Sequence, residues 1–377
     1  MHRRLLLSLA ALLLALGALE GGVRLLRPQP TASASPPELL RGAFTAPGDH
    51  PARTEEYDVT VHVNAQGFVD REWGPRAPGV ARVVVLGDSF VQAAQVPLGQ
   101  GFGRVLERAL GPGVEVLSLG VPGAGTATEL GVLERHALPL RPDLVLLGFL
   151  VGNDVLNASP LLESKADKPF LALEGDALVP TSAADSLARP WRLGPLWRWS
   201  HAWRLISRDL ARRRLAARQL ELGQGLPVDL RVHEPAPSPA WDEAWAVTDA
   251  LVGAIAARCG EEGVAFATLL FPTAEEATAA GRAAALSRWP AIEGWDLGAA
   301  RGRAEAMAAA HGPVLDLQPA LAAAEAASPE PLYFPLDGHW TARGHRVAAE
   351  AAGPFVAGVL SRPAATPSSP RTSPSSP

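Results

Sequence analysis

From Val80 to Gly152 the chain alternates apolar runs of strand length with helical patterns: VARVVVLG, GFGRVLERAL, VEVLSLG, ATELGVLERHAL and PDLVLLGFLVG. The strand-like runs are apolar almost throughout rather than at every second position, which fits strands buried on both faces, hence a parallel sheet with helices above and below. The pattern resumes later, with WDEAWAVTDALVGAIAARCGEEG as helix, VAFATLLFP as strand, a helical stretch to about His311, PVLDLQPAL as the last strand and TARGHRVAAEAAGPFVAGVL as the last helix. Five parallel strands wound in this way make a three-layer α/β domain of the flavodoxin-like kind, whose ligands bind beyond the carboxyl ends of the strands.

That rule directs attention to the polar residues at strand ends. The first strand stops at Asp88 and Ser89, the second at Gly120, and the third near Gly152, Asn153 and Asp154; Asp337 and His339 follow shortly after the last. A serine hydroxyl is a weak nucleophile until a base takes its proton, and His339 is the candidate base. Asp337 is placed to accept from the other ring nitrogen and to stabilise the imidazolium. The backbone N–H groups of Ser89 and Gly120 and the side-chain amide of Asn153 are the candidate oxyanion donors, each worth about 3 kcal/mol. Asp88 braces the turn rather than reacting, with Gly152 and Asp154 in support. This is the equipment of acyl transfer, and it calls for no cofactor and no metal.

The blocks GDSF at 87–90, Gly120, GND at 152–154 and DGH at 337–339 resemble the SGNH (GDSL) hydrolase family in identity, order and approximate separation. By this resemblance Ser89, Gly120, Asn153 and His339 take the four positions that name the family, Asp337 is the acid, and the activity is ester hydrolysis through an acyl-enzyme. The upstream NAQGFVDREW is similar to exported, membrane-anchored members. The commonest family spacing puts the acid three residues before the histidine, where this chain has Leu336. Its D-x-H spacing, followed by tryptophan and threonine, is similar to the alginate-type polysaccharide O-acetyltransferases. Hydrolysis and acetyl transfer to a saccharide are therefore both open at this point, with a substrate that is an ester-bearing saccharide or lipid. A carbohydrate-binding protein on an inactive scaffold is disfavoured because every catalytic position is filled.

Other features bound the reading. With 377 residues, 47% of them hydrophobic, there is room for one large domain or two small ones, and a net charge of −5 without a clustered basic face excludes a nucleic-acid footprint. The single cysteine, Cys259, forms no internal disulfide and reads as a small buried hydrophobe. GVPGAGTATELG lacks the third glycine of a dinucleotide fingerprint, with Thr128 in its place. Residues 1–27 join a basic start to an apolar run from Leu5 to Leu19, which is a signal peptide or a membrane anchor. Arg3 and Arg4 favour an uncleaved anchor with the rest of the chain outside the cytoplasm, periplasmic or extracellular; cleavage makes the protein secreted. Residues 28–54 read as a proline-rich spacer, 55–361 as the catalytic domain and 362–377 as a disordered tail. Within the domain, about 158–239 is an insertion in which four tryptophans interleave with arginines, suited to a cap over the site, to the membrane surface, or to packing on the domain. Asn157-Ala158-Ser159 matches the glycosylation acceptor pattern by coincidence of position.

Overall fold

The structure, a computed structural model, describes residues 2–28, 46–163, 168–181, 199–222 and 225–362. It divides into two compact units, one formed by Met1–Pro36 with Pro160–Gln224, the other by Pro37–Ser159 with Gly225–Pro377.

The larger unit begins with an antiparallel hairpin, β1 (Gly48–Arg53) and β2 (Asp58–Val63). The elements β3 (Ala81–Gly87), α1 (Ser89–Gln92), α2 (Phe102–Leu110), β4 (Val114–Gly120), α3 (Thr126–Val132), β5 (Leu144–Leu150) and α4 (Val151–Ala158) follow. After the second unit's segment come α5 (Pro239–Glu261), β6 (Ala265–Phe271), α6 (Ala274–Ala277), α7 (Ala279–Arg288), α8 (Leu297–Ala309), β7 (Val314–Asp316), α9 (Gln318–Ala327) and α10 (Ala342–Leu360). Five strands pair in parallel in the order β4-β3-β5-β6-β7, so the chain reverses direction across the sheet between β3 and β5. This is the flavodoxin-like order, and its switch point lies at the carboxyl ends of β3 and β5.

Burial explains the apolar strands. All seven residues of β5 are buried, and Val83, Val84, Val85 and Leu86 of β3 have no exposed surface. One face, carrying Val83, Val85, Leu144, Leu146 and Leu269, shares a core with Phe102 and Leu106 of α2 and with Ala348, Ala352 and Val356 of α10. Against the other face lie α5 and α8, with α3 and α4 packed on α5. Three glycines, Gly87, Gly120 and Gly148, stand side by side in register, the first two as the last residues of β3 and β4 and the third two residues before the end of β5. Cys259 is buried on α5, and burial pushes its thiol up to about 12, so it is an inert packing group.

The hairpin changes the domain boundary read from the sequence. β1 lies inside the stretch taken as spacer because GDHPAR has neither apolar alternation nor β-branched residues; its pairing with DVTVHV makes it a strand. Pro51 is accommodated because a two-stranded ribbon leaves an edge where no N–H is needed. Residues 225–239, at the end of the insertion, belong to the larger unit. Residues 29–45 of the spacer and 363–377 of the tail lie outside the described residues.

In the smaller unit, Arg3–Leu26 is a helix long and apolar enough to cross a membrane. It contacts the helix His201–Leu222, and a hairpin of Phe170–Glu174 and Ala177–Thr181 turns at Gly175. Of the four tryptophans of the insertion, Trp191 and Trp197 lie outside the described residues; Trp199 is exposed and Trp203 half-buried.

Candidate active site

The strand-to-helix turn after β3 presents Ser89. Asp88 caps the short helix α1, its Oδ1 accepting from the Phe90 N–H at 2.9 Å. The turn is tight enough that a Cβ on Gly87 would come within 2.4 Å of Val91 Cγ2. Only glycine lets the strand pass so close to the helix that carries the serine.

His339 brings its Nε2 to 2.7 Å from Ser89 Oγ, and its Nδ1 lies 2.6 Å from Asp337 Oδ1. A carboxylate only accepts, so the proton between His339 and Asp337 belongs to Nδ1 and Nε2 is left as acceptor for the serine hydroxyl. Three groups read separately from the sequence thus form one hydrogen-bonded chain. The imidazole packs on Phe90, ring centroids 4.8 Å apart, which limits its tilt. Both His339 and Asp337 remain about a fifth exposed, open to a ligand from the cavity side.

Behind the serine lies a polar network. Asn153, at the start of α4, donates from Nδ2 to Asp88 Oδ2 at 2.9 Å and to the Ala124 carbonyl at 2.8 Å. Its Oδ1 accepts from Asn157 Nδ2 at 2.6 Å, one helical turn on. Asn157 is therefore a buried member of the site and not a glycan acceptor on the surface. Both amide hydrogens of Asn153 are engaged, so it meets an oxyanion only by releasing one of them. Asp154 points away from the cavity and accepts the Leu150 N–H at 2.7 Å, fixing the start of α4. Burial raises the Asp88 carboxyl to about 6. Burial, reinforced by the charges of Asp154 and Asp88, also holds the Glu129 carboxyl beneath them well above its usual range.

A cavity of about 370 Å³ opens over the serine, and Ser89, Gly123, Gly152, Asn153, Asp337 and His339 contribute to its wall. Gly120 does not. A Cβ there would sit 2.2 Å from the Gln92 nitrogen, because α1 lies directly on the end of β4. The glycine at the cavity is Gly123, three residues on, in a turn with φ of 66°. Nothing in the sequence tells which glycine of GVPGAG lies at the cavity wall with Ser89. Asp229, Leu230, His233, Glu275 and Trp289 complete the rim. They come from short helical turns at 229–233 and 274–277 and from the segment around Trp289, too short to show a period in the sequence. A larger cleft of about 530 Å³, lined by Arg108, Arg343, Arg346 and Glu350 among others, holds no nucleophile.

No family model matches the chain, and no curated protein matches it. Among solved structures it is similar to a carbohydrate acetylesterase family member from Sinorhizobium meliloti, at 14% identity over 74% of this chain and 99% of that one, TM-score 0.34. It is also similar to LAE5, an alpha/beta hydrolase enzyme from the metagenome of Lake Arreo, Spain, at 17% identity over 77% and 100%, TM-score 0.39. A two-domain esterase active on acetylated mannans matches at 10% identity over 78% of this chain and 53% of its own length, TM-score 0.38. At such distances the functional reading stands on the side chains themselves.

Proposed function

We propose that the chain is a serine esterase of the SGNH kind. The observation that carries this is the continuous relay from Asp337 Oδ1 through both nitrogens of His339 to Ser89 Oγ, with spacings of 2.6 and 2.7 Å. Ser89 Oγ attacks the ester carbonyl as its proton passes to His339 Nε2, and Asp337 stabilises the imidazolium. The imidazolium then returns the proton to the departing alkoxide, leaving an acyl-enzyme that water hydrolyses by the same steps in reverse. The oxyanion donors in this reading are the N–H groups of Ser89 and Gly123 and the amide of Asn153.

The cavity wall narrows the substrate class. Its charged side chains among the described residues are the carboxyls of Asp88, Asp229, Glu275 and Asp337, with no arginine or lysine. Such a wall repels uronates and phosphodiesters and offers acceptors to hydroxyl groups, while Trp289 offers an aromatic face. A neutral O-acylated saccharide fits these groups better than an acyl lipid, which brings few donors. Transfer of the acyl group to a sugar hydroxyl uses the same acyl-enzyme; the D-x-H spacing at 337–339 is the observation on its side.

We also propose that the N-terminal helix is retained as an anchor, with the catalytic unit outside the cytoplasm. Support comes from Glu20, whose carboxylate accepts from Ser200 Oγ at 2.8 Å and from the His201 and Ala202 N–H groups at 2.9 and 3.0 Å. It caps the helix His201–Leu222, a tertiary role that a discarded leader does not have.

The test is p-nitrophenyl acetate hydrolysis by the full chain in detergent. Ser89→Ala is expected to lose at least about a thousandfold in kcat, and Asn153→Ala about a hundredfold with KM little changed. Turnover by Ser89→Ala equal to that of the wild type removes the esterase reading.

A further inference from the structure

Asp337 and His339 lie two residues apart in a loop, with Gly338 between them at φ 84°. The loop closes on itself through the Phe334 N–H to the His339 carbonyl at 2.8 Å and the Gly338 N–H to the Phe334 carbonyl at 2.9 Å. These bonds shape the backbone, but neither touches the Asp337 carboxyl group. A side chain with one broad, roughly two-fold terminal torsion can rotate its oxygens out of the imidazole plane. At about a fifth exposed, this carboxylate is also open to competition from water.

The missing restraint comes from the opposite end of the same unit. At the tip of the β1–β2 hairpin, Thr54 Oγ1 accepts the N–H groups of Glu56 and Tyr57 at 3.1 and 3.2 Å, presenting both side chains outward. Glu56 grips two consecutive backbone N–H groups of the loop, Leu336 at 2.8 Å and Asp337 at 2.7 Å. Tyr57 donates its hydroxyl to Asp337 Oδ2 at 3.2 Å, and its ring lies 5.4 Å from that of Phe334.

We propose that Glu56 and Tyr57 are positioning residues for the catalytic acid: the hairpin fixes the backbone of Asp337 and its second carboxylate oxygen, so that the first stays on His339 Nδ1. The proposal rests on the Ser-His-Asp reading of the site. Each group does a separate part of the work. Glu56 uses both oxygens on adjacent N–H groups, which sets the direction from which the Asp337 side chain leaves the loop. Oδ1 accepts from His339 Nδ1 and, at 3.4 Å, from the His339 N–H; Tyr57 satisfies the other oxygen, so both ends of the carboxylate are held against rotation. Burial and the neighbouring Asp337 charge hold the Tyr57 hydroxyl above the usual phenol range, so it stays a neutral donor at any working pH. The second carboxylate, on Glu56, adds negative charge beside the triad, which favours the transition state in which His339 is cationic. A short D-x-H loop with a left-handed glycine inside it has little rigidity of its own, and the hairpin supplies it from outside.

The experiment is a double-mutant cycle on p-nitrophenyl acetate with the full chain in detergent, Ser89→Ala serving as the control for the reading beneath it. Tyr57→Phe, which keeps the ring and removes one oxygen, is expected to lower kcat about tenfold with KM and Tm unchanged. In an Asp337→Ala background the same substitution is expected to change nothing, because the group it acts through is gone. Glu56→Gln keeps one acceptor oxygen and should fall between wild type and Glu56→Ala. Wild-type kcat in Tyr57→Phe overturns the proposal, as does an undiminished tenfold loss on the Asp337→Ala background. If Ser89→Ala abolishes turnover while Tyr57→Phe does nothing, the positioning role falls and the esterase reading stands. If Ser89→Ala is fully active, the reading itself fails first.

Discussion

Close to the loop that carries His339 the imidazole of His345 faces the indole of Trp340 edge-on, ring centroids 5.4 Å apart, with no exposed surface. Neither ring nitrogen has a partner among the described residues. Burial, with the nearby His339 as a lesser cause, lowers its pKa to about 3, so it is neutral in the folded chain across the working range. In the unfolded chain a histidine takes up its proton near pH 6.5. Between those values the unfolded state binds more protons, and stability is lost as pH falls from about 6.5 toward 3. His233 at the cavity rim, lowered to about 4 chiefly by burial, acts in the same direction. Asp88, raised to about 6, and Glu276, raised to about 7, act oppositely, each costing stability as pH rises from the unfolded value to the folded one. The four contributions overlap, so the wild-type profile alone does not separate them. His345→Leu removes one. Its gain in unfolding free energy over the wild type should grow by about 2–4 kcal/mol between pH 7 and pH 4, read from denaturant titrations. A difference that is constant with pH contradicts a neutral buried His345.

At the scale of elements, the site depends on where α1 meets the ends of β3 and β4. Gly120→Ala puts a methyl group 2.2 Å from the Gln92 nitrogen, a backbone atom that cannot yield without moving the serine helix. The expected result is a loss of several degrees in Tm, with kcat falling as the helix shifts. Gly123→Ala instead carries the cost of a left-handed alanine at φ 66°, about 1–2 kcal/mol, and alters the cavity wall. Calorimetry and kinetics on the two variants separate the packing glycine from the one at the site. The same junction shows what could be read beforehand. Strands such as VVVLG and LVLLGFL are apolar throughout because they are covered on both faces, so the sheet and the strand ends where Ser89 and Asn153 stand were legible, while His339 lies in the loop beyond α9. The hairpin was not, because GDHPAR becomes a strand only by pairing with DVTVHV. Its grip on the Leu336–Asp337 backbone was hidden for the same reason. Glu56 and Tyr57 sit about 280 residues before their partners and carry no motif. The rim residues Asp229, Glu275 and Trp289 were equally silent, since helical turns of four or five residues and the segment around Trp289 are too short to show a period that betrays which side chain faces a cavity.

For the molecule as a whole, the decisive question is whether the first helix stays with the chain. Its 24 residues span about 36 Å at about 1.5 Å per residue, enough to cross a hydrocarbon core of about 30 Å. Signal peptides pass a similar test, so length alone does not decide. Glu20 adds a different kind of constraint. Besides capping the helix His201–Leu222 it pairs with Arg24 at 2.6 Å, and Arg24 in turn reaches the Trp199 carbonyl at 2.5 Å. The sequence offers two small-residue cleavage patterns, Ala15–Gly17 and Ala32–Ala34; cutting at the second deletes this cap and removes Glu20 as acceptor for the His201 and Ala202 N–H groups. Cutting near Gly17 keeps Glu20 but leaves a helix from 18 to 26 too short to span a bilayer. The proposed retention of the helix therefore makes a direct prediction. Protein recovered from its native membranes should resist alkaline carbonate extraction, and intact-mass measurement should include residues 3–26. A soluble form whose N-terminus lies near residue 35 would mean that the helix is a leader and that the helix His201–Leu222 finds another cap after export.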